Sequence, residues 1–171
     1  MHSILHKRLS VFFRRKSVVL LALWWFAGFV LGAFTANRVS YSFTSLMRMA
    51  VSFRVSIVSS LMVSLLPLSV SALVVYLDKP AGIFAIAFLK AVCYGFCSAG
   101  IRCAYGSAAW LVHFLFLFSD NLSVLVLFWF WLRHTAGRKH AVWSDLTVCA
   151  VICAGIGILD SCLVSPFLAG L

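Results

Sequence analysis

Glutamate is absent from this chain of 171 residues, and the only acidic side chains are four aspartates. Charged residues make up 11% of the sequence, against about a quarter in ordinary soluble domains. Long polar stretches are missing too, since 64% of the residues are apolar. This composition excludes a soluble enzyme, a DNA-binding domain, a disordered tail and a secreted disulfide scaffold. The loops hold no pair of carboxylates flanking a water-accessible cleft, as glycoside hydrolysis needs. They also hold no P-loop, no Gly-rich phosphate cradle and no Ser/His/Asp set. The sequence therefore predicts neither an enzyme nor a cofactor, and leaves one small all-α domain solvated by lipid.

What is plentiful is apolar residues in long runs. Crossing about 30 Å of hydrocarbon takes about 20 predominantly apolar residues in a helix. Five stretches meet that length, at 17–36, 55–77, 81–101, 107–132 and 146–169. They predict a transmembrane helical bundle of about five spans over 17–171, after a basic leader at 1–16. The leader and first run do not read as a signal peptide, because the run is too long and Thr35-Ala36-Asn37 makes a poor cleavage site.

Fourteen Lys and Arg set the net charge at +10. A nucleic-acid partner is not expected, because these residues are spread between apolar runs and read as topology signals. With the amino terminus cytoplasmic, the inner segments carry Lys7, Arg8, Arg14, Arg15, Lys16, Lys79, Arg133, Arg138 and Lys139. The outer ones carry Arg38, Arg48, Arg54 and Arg102. That asymmetry predicts a cytoplasmic amino terminus and an outside carboxyl terminus in a multi-pass membrane protein. Between the first two spans, Thr44, Arg48, Ser52 and Ser56 recur every four residues opposite Phe43, Leu46, Met47, Ala50 and Phe53. This pattern predicts a short amphipathic helix in the outer interface, its arginines facing water or headgroups, or else an extension of the second span.

Helices in lipid associate through close packing, which small residues at four-residue spacing permit. Gly28 and Gly32 show this spacing on the first span, Ala91, Gly95 and Ala99 on the third, and Ser56, Ser60 and Ser64 on the second. The packing argument favours contacts within one chain, with a homo-oligomer left open. Six cysteines raise redox and metal readings. Cys93 and Cys97, like Cys149 and Cys153, stand one helical turn apart, without the C-x-x-C loops that zinc sites and thiol oxidases use. They read as packing residues, and no metal is expected.

Ionisable residues inside spans carry more information, because each costs at least about 2.5 kcal/mol to insert. The set is Lys90, His113, Asp120 and Asp160, with Asn121 beside Asp120. Ser119 suits an N-cap and Asp120 a first helical turn, which predicts a break in the fourth span. Lys90 and Asp120 are positioned to pair. The set can serve as a clasp that fixes helix register or as a proton or ion relay. The clasp is favoured, since a relay needs a more continuous chain of titratable groups.

The order Phe88-Leu89-Lys90-Ala91, Gly95-Phe96, Tyr105-Gly106 and Ser119-Asp120-Asn121-Leu122, closed by Leu159-Asp160-Ser161-Cys162-Leu163-Val164-Ser165-Pro166, resembles the stage II sporulation protein M family of spore-forming bacteria. The likeness runs roughly from Pro67 to Pro166. Ala91 stands where the family usually has Gly, Ser119-Asp120 where it has Pro and a polar residue, and Asp160 where it has Glu. The resemblance implies a noncatalytic membrane scaffold at the sporulation septum. Such a scaffold recruits and positions membrane-anchored peptidoglycan-degrading partners during engulfment. The competing reading is a small transporter or permease subunit with an intramembrane polar path. An intramembrane thiol enzyme, resting on the cysteines alone, is the weakest of the three.

Overall fold

The computed structural model describes residues 2–38, 45, 48, 57–77, 79, 81–134, 142–164 and 166. Among them the chain is all-helical. Six α-helices follow in order: α1 (His2–Asn37), α2 (Ile57–Tyr76), α3 (Ala81–Tyr105), α4 (Ala109–Phe116), α5 (Phe118–His134) and α6 (Val142–Leu159). A 3-10 turn at Gly106–Ala108 joins α3 to α4, and a π-helical turn at Asp160–Val164 extends α6.

Four helical stretches are long and apolar enough to cross a membrane, at 16–37, 58–76, 81–116 and 142–164. This is a multi-pass membrane protein whose outward faces meet lipid. On α1, for example, Leu23, Phe26, Val30 and Phe34 all point outward. Leader and first span form one uninterrupted helix of 36 residues, about 54 Å long. The amphipathic segment expected at 43–56 lies outside the described residues except at Ser45 and Arg48. Arg48 does not simply face water or headgroups: its Nε and a terminal nitrogen both donate to the Ala104 carbonyl, at 3.1 and 2.9 Å. That bond satisfies a C-terminal carbonyl of α3 that has no partner inside the helix.

The fourth span expected at 107–132, with a break near Ser119 and Asp120, is divided in the structure, and the division falls at Leu117. Gly106 adopts φ +55, a left-handed conformation that glycine takes without strain. The chain reverses there, and α4 folds back on α3. His113 Nε2 and Ser98 Oγ are consequently 2.8 Å apart. A straight helix would put 15 residues of rise, about 22 Å, between them. A second irregularity at Leu117 separates α4 from α5. At 17 residues α5 extends about 25 Å, less than the hydrocarbon thickness, so this crossing needs both pieces. The five expected stretches thus fall on α1, α2, α3, the divided α4–α5 segment and α6.

Helices α1 and α3 run parallel. Trp24 packs on Phe88, Phe29 on Tyr94, and Cys103 reaches Asn37, so the contacts climb both helices together. A Cβ on Gly28 would stand 2.6 Å from the Phe88 carbonyl oxygen. On Gly32 it would collide with Val92, and on Gly95 with the Phe29 backbone, still more closely. These glycines let two backbones touch, and dispersion over that contact replaces the hydrophobic drive that lipid cannot supply.

The main core fills the half of the bundle away from Gly106. Phe130, Trp131 and Leu127 of α5 meet Leu21, Leu68, Ile83, Ala87 and Cys153 there, all essentially inaccessible. The Trp131 indole donates to Ser71 Oγ at 2.7 Å, and Ser71 donates to the Pro67 carbonyl at 2.7 Å. Pro67 sits inside α2 without a backbone donor of its own.

Candidate functional site

Lys90, Tyr94, Ser98 and Arg102 recur every four residues on α3 and so share one helix face. The first three each hold a partner from the returning segment. Lys90 Nζ pairs with Asp120 Oδ1, and both side chains are nearly inaccessible, at 12% and 13% exposure. Tyr94 donates its hydroxyl to Asn121 Oδ1. Ser98 donates to the Tyr94 carbonyl at 2.7 Å, which commits its only proton, so His113 Nε2 is the donor in the Ser98–His113 bond. The Tyr94 and His113 rings also meet edge to face, with centroids 5.5 Å apart. These three rungs rise through about 12 Å of the bundle.

The break at Leu117 makes the lower rungs possible. α5 starts at Phe118, so Ser119 lies within its first turn and is not the N-cap, two residues from the expected position. Asp120 and Asn121, adjacent in sequence, then project from that turn onto successive rungs. A carboxylate in a first turn is favoured by the helix dipole, which lowers the cost of Asp120 beyond its pairing with Lys90.

Two cavities flank the ladder. One, of about 620 Å³, lies between α1 and α3 toward the Gly106 end and is lined by Asn37, Ser98, Ala99, Arg102 and Cys103. The other, of about 300 Å³, lies between α2, α3, the Leu117 break and the π turn. Lys90, Asp120, Asp160, Ser59, Ser60 and Ser119 line it, with Cys93 and Cys97. Asp160 is buried at 5% exposure and accepts a hydrogen bond from Ser60 Oγ at 2.5 Å. Below Lys90 the polar residues give way to the packed Phe130–Trp131 layer.

Lys90, His113, Asp120, Asn121 and Asp160 are therefore gathered by the fold. The first four sit on the ladder, and Asp160 shares the smaller cavity with Lys90 and Asp120. Gly28, Gly32, Ala91 and Gly95 lie where α1 and α3 touch, and Ala99 faces α1 across the larger cavity. Of the cysteines, Cys149 and Cys153 are buried in the core, while Cys93, Cys103 and Cys162 are exposed; all six are free thiols. Among the described residues no three His, Cys, Asp or Glu side chains stand together as a metal site would require.

Sequence reasoning missed the roles of Tyr94 and Ser98, although their four-residue repeat from Lys90 was a usable signal. It also missed a lock at the opposite end. Asp145 of α6 meets Arg133 Nε at 2.7 Å and His134 Nε2 at 3.1 Å, and Arg133 stacks over Trp129. No local motif marks that lock, since Arg133 and His134 end one helix and Asp145 begins the next. Comparison of the chain with protein-family models, characterised proteins and solved structures finds no match.

Proposed function

We propose that this chain is a small, noncatalytic transporter or permease subunit whose working element is the intramembrane polar path. One observation carries the reading: three hydrogen-bonded rungs, Lys90–Asp120, Tyr94–Asn121 and Ser98–His113, stack along α3 between the larger cavity, which Ser98 lines, and the smaller, deeper one, which Lys90 and Asp120 line. A clasp needs one such pair. A ladder of titratable and hydroxyl groups is what a relay needs, and burying it in hydrocarbon is costly unless it serves a purpose. Helix irregularities also stand on both sides of the deeper cavity, at Leu117 and at Asp160–Val164. Interrupted helices around a mid-membrane site are a feature of transporters, and π turns recur at functional sites. The excess of Lys and Arg on the leader and the 133–139 connection supports a cytoplasmic amino terminus, which puts the Gly106 end of the ladder outside.

The test is proton flux into liposomes holding the purified full chain, driven by a pH gradient and read with an entrapped dye. Tyr94→Phe and Ser98→Ala keep shape and remove one hydroxyl each. Both are expected to insert normally and to slow flux at least about tenfold, the loss of one positioned proton-transfer group. Flux equal to that of the native chain in both variants would refute the path.

A second reading keeps the resemblance to the stage II sporulation protein M family and makes the chain a scaffold for membrane-anchored peptidoglycan-degrading partners at the sporulation septum. It is favoured by one observation: the segments that carry the resemblance, around Asp120 and around Asp160, line the same cavity. Co-purification of wall-degrading proteins with the tagged chain from sporulating cells tests it. Normal engulfment without this chain would count against it.

A further inference from the structure

Between α5 and α6 an apolar groove of about 320 Å³ opens toward lipid, lined by Leu125, Val126, Trp129, Val148, Cys149 and Ile152. Leu125, Trp129 and Arg133 recur every four residues on α5, so the groove wall and the Arg133 guanidinium share one helix face. The guanidinium lies over the Trp129 ring, 5.2 Å from its centre, and so stands at the end of the groove. Asp145 meets it at Nε, at 2.7 Å, and the Arg133 side chain keeps 38% of its surface exposed. A guanidinium has five N–H donors, and four of them are on the terminal nitrogens beyond that contact.

This end of the bundle has more positive charge than the chain itself can neutralise. The rings of Tyr76 and Trp143 meet here, which brings the carboxyl end of α2 to the amino end of α6. Trp131 packs in one layer with Leu21, close to the start of the first span. By sequence, the segments that begin or join helices at this end carry Lys16, Lys79, Arg133, Arg138 and Lys139 against Asp78 and Asp145, without counting the leader. The other two aspartates of the chain, Asp120 and Asp160, line the smaller cavity. Whatever pairs form, three positive charges have no carboxylate within the chain. Tyr76, Trp129 and Trp143 are all exposed here, and exposed Trp and Tyr mark the level of lipid headgroups.

We propose that the groove binds an anionic phospholipid of the bilayer, with one acyl chain lying along Leu125 and Trp129 and the headgroup phosphate held by the terminal nitrogens of Arg133. A guanidinium matches a phosphate at two points and is more weakly hydrated than an ammonium, which suits it to the membrane interface. Basic sites between helices at headgroup level bind lipids of this class. A helix about 10 Å across occupies about 420 Å³ per turn, more than the whole groove, so the groove takes an acyl chain and not a helix. The site does not depend on the polar path.

The experiment is tryptophan quenching in the purified full chain, reconstituted into phosphatidylcholine vesicles. The vesicles contain a small, equal mole fraction of phosphatidylglycerol or of phosphatidylcholine, brominated near the glycerol end of its acyl chains. Lipid that merely surrounds the protein quenches equally in both, so excess quenching by phosphatidylglycerol measures selective binding. The native chain is expected to favour phosphatidylglycerol about fivefold, the effect of one basic contact near the membrane surface. Arg133→Gln combined with Asp145→Asn leaves the net charge unchanged and strands no carboxylate, and it should bring the preference close to one. Val148→Phe fills the groove with every charge in place and should remove most of the preference, whereas Lys79→Gln, at the same end but off the groove, should leave most of it. In Trp129→Phe the excess quenching should disappear with its reporter. Equal quenching by the two lipids in the native chain overturns the site. So does a preference that survives in the Arg133→Gln, Asp145→Asn variant or in Val148→Phe, or that falls as far in Lys79→Gln, since a basic face would then attract the lipid without a groove. Excess quenching that persists in Trp129→Phe also overturns it, because the lipid is then bound elsewhere. Weak quenching of Trp129 by both lipids, with a dimeric mass in detergent, overturns it in favour of a second copy of the chain.

Discussion

Breaking the Lys90–Asp120 pair one side at a time is expected to destabilise the protein far more than removing both partners. Both side chains are almost nine-tenths buried, so solvent does little to screen them. Lys90→Met leaves the Asp120 carboxylate without its cation, and Asp120→Asn leaves the ammonium without its anion. Stranding a buried charge costs about 3–5 kcal/mol. For a chain of this size that is about 6–20 °C in Tm. The double variant strands nothing, and replacement of a buried pair by neutral groups is close to neutral, so its loss should stay within about 2 kcal/mol. Additive singles would total at least about 6 kcal/mol, which leaves a coupling of about 4 kcal/mol or more in the cycle. Thermal unfolding in detergent, with membrane abundance as a second readout, measures it. Each single variant is expected to be scarce and the double to recover most of the native level, while proton flux in the double stays absent. Additive losses with no recovery would refute the pairing argument, and a double variant that conducts protons like the native chain would separate the pair from function.

Gly32→Leu should drive α1 from α3, because the added side chain meets backbone that cannot turn away; Gly155→Leu, where a Cβ has no neighbour within 4 Å, should leave Tm within about 2 °C of the native value. Ser71→Ala removes the acceptor of the buried Trp131 indole and should cost about 1–3 kcal/mol in thermal unfolding, whereas Trp131→Phe together with Ser71→Ala should recover part of that loss. Reporter fusions should place the amino terminus in the cytoplasm and the carboxyl terminus outside, and finding both on one side would refute an odd number of crossings.

The residues by themselves determined the solvent and the type of structure. In hydrocarbon every backbone group must be paired, and a helix pairs them within its own segment, so apolar runs of sufficient length were enough to place α2 and α3 to within a few residues, whereas α1 extends through the basic leader to His2 and α6 starts at Val142 and gives way to the π turn at Asp160. The same logic identified Lys90, His113, Asp120, Asn121 and Asp160 as the polar residues inside those runs, since a buried charge shows in a sequence without any knowledge of its neighbours. What touches what was decided only by the tertiary structure. Ser119, Asp120 and Asn121 announced a break in the apolar run at 107–132, but its position at Leu117, two residues earlier, was set by the backbone, where nothing in the hydropathy changes. Asp160 sits on a π turn and accepts a hydrogen bond from Ser60 of α2, neither of which a local motif announces. Lys90 meets Asp120, and Tyr94 meets Asn121, through the relative rotation and height of helices distant in sequence. A four-residue repeat marks which face of α3 is polar, but only packing between helices determines which partner that face receives.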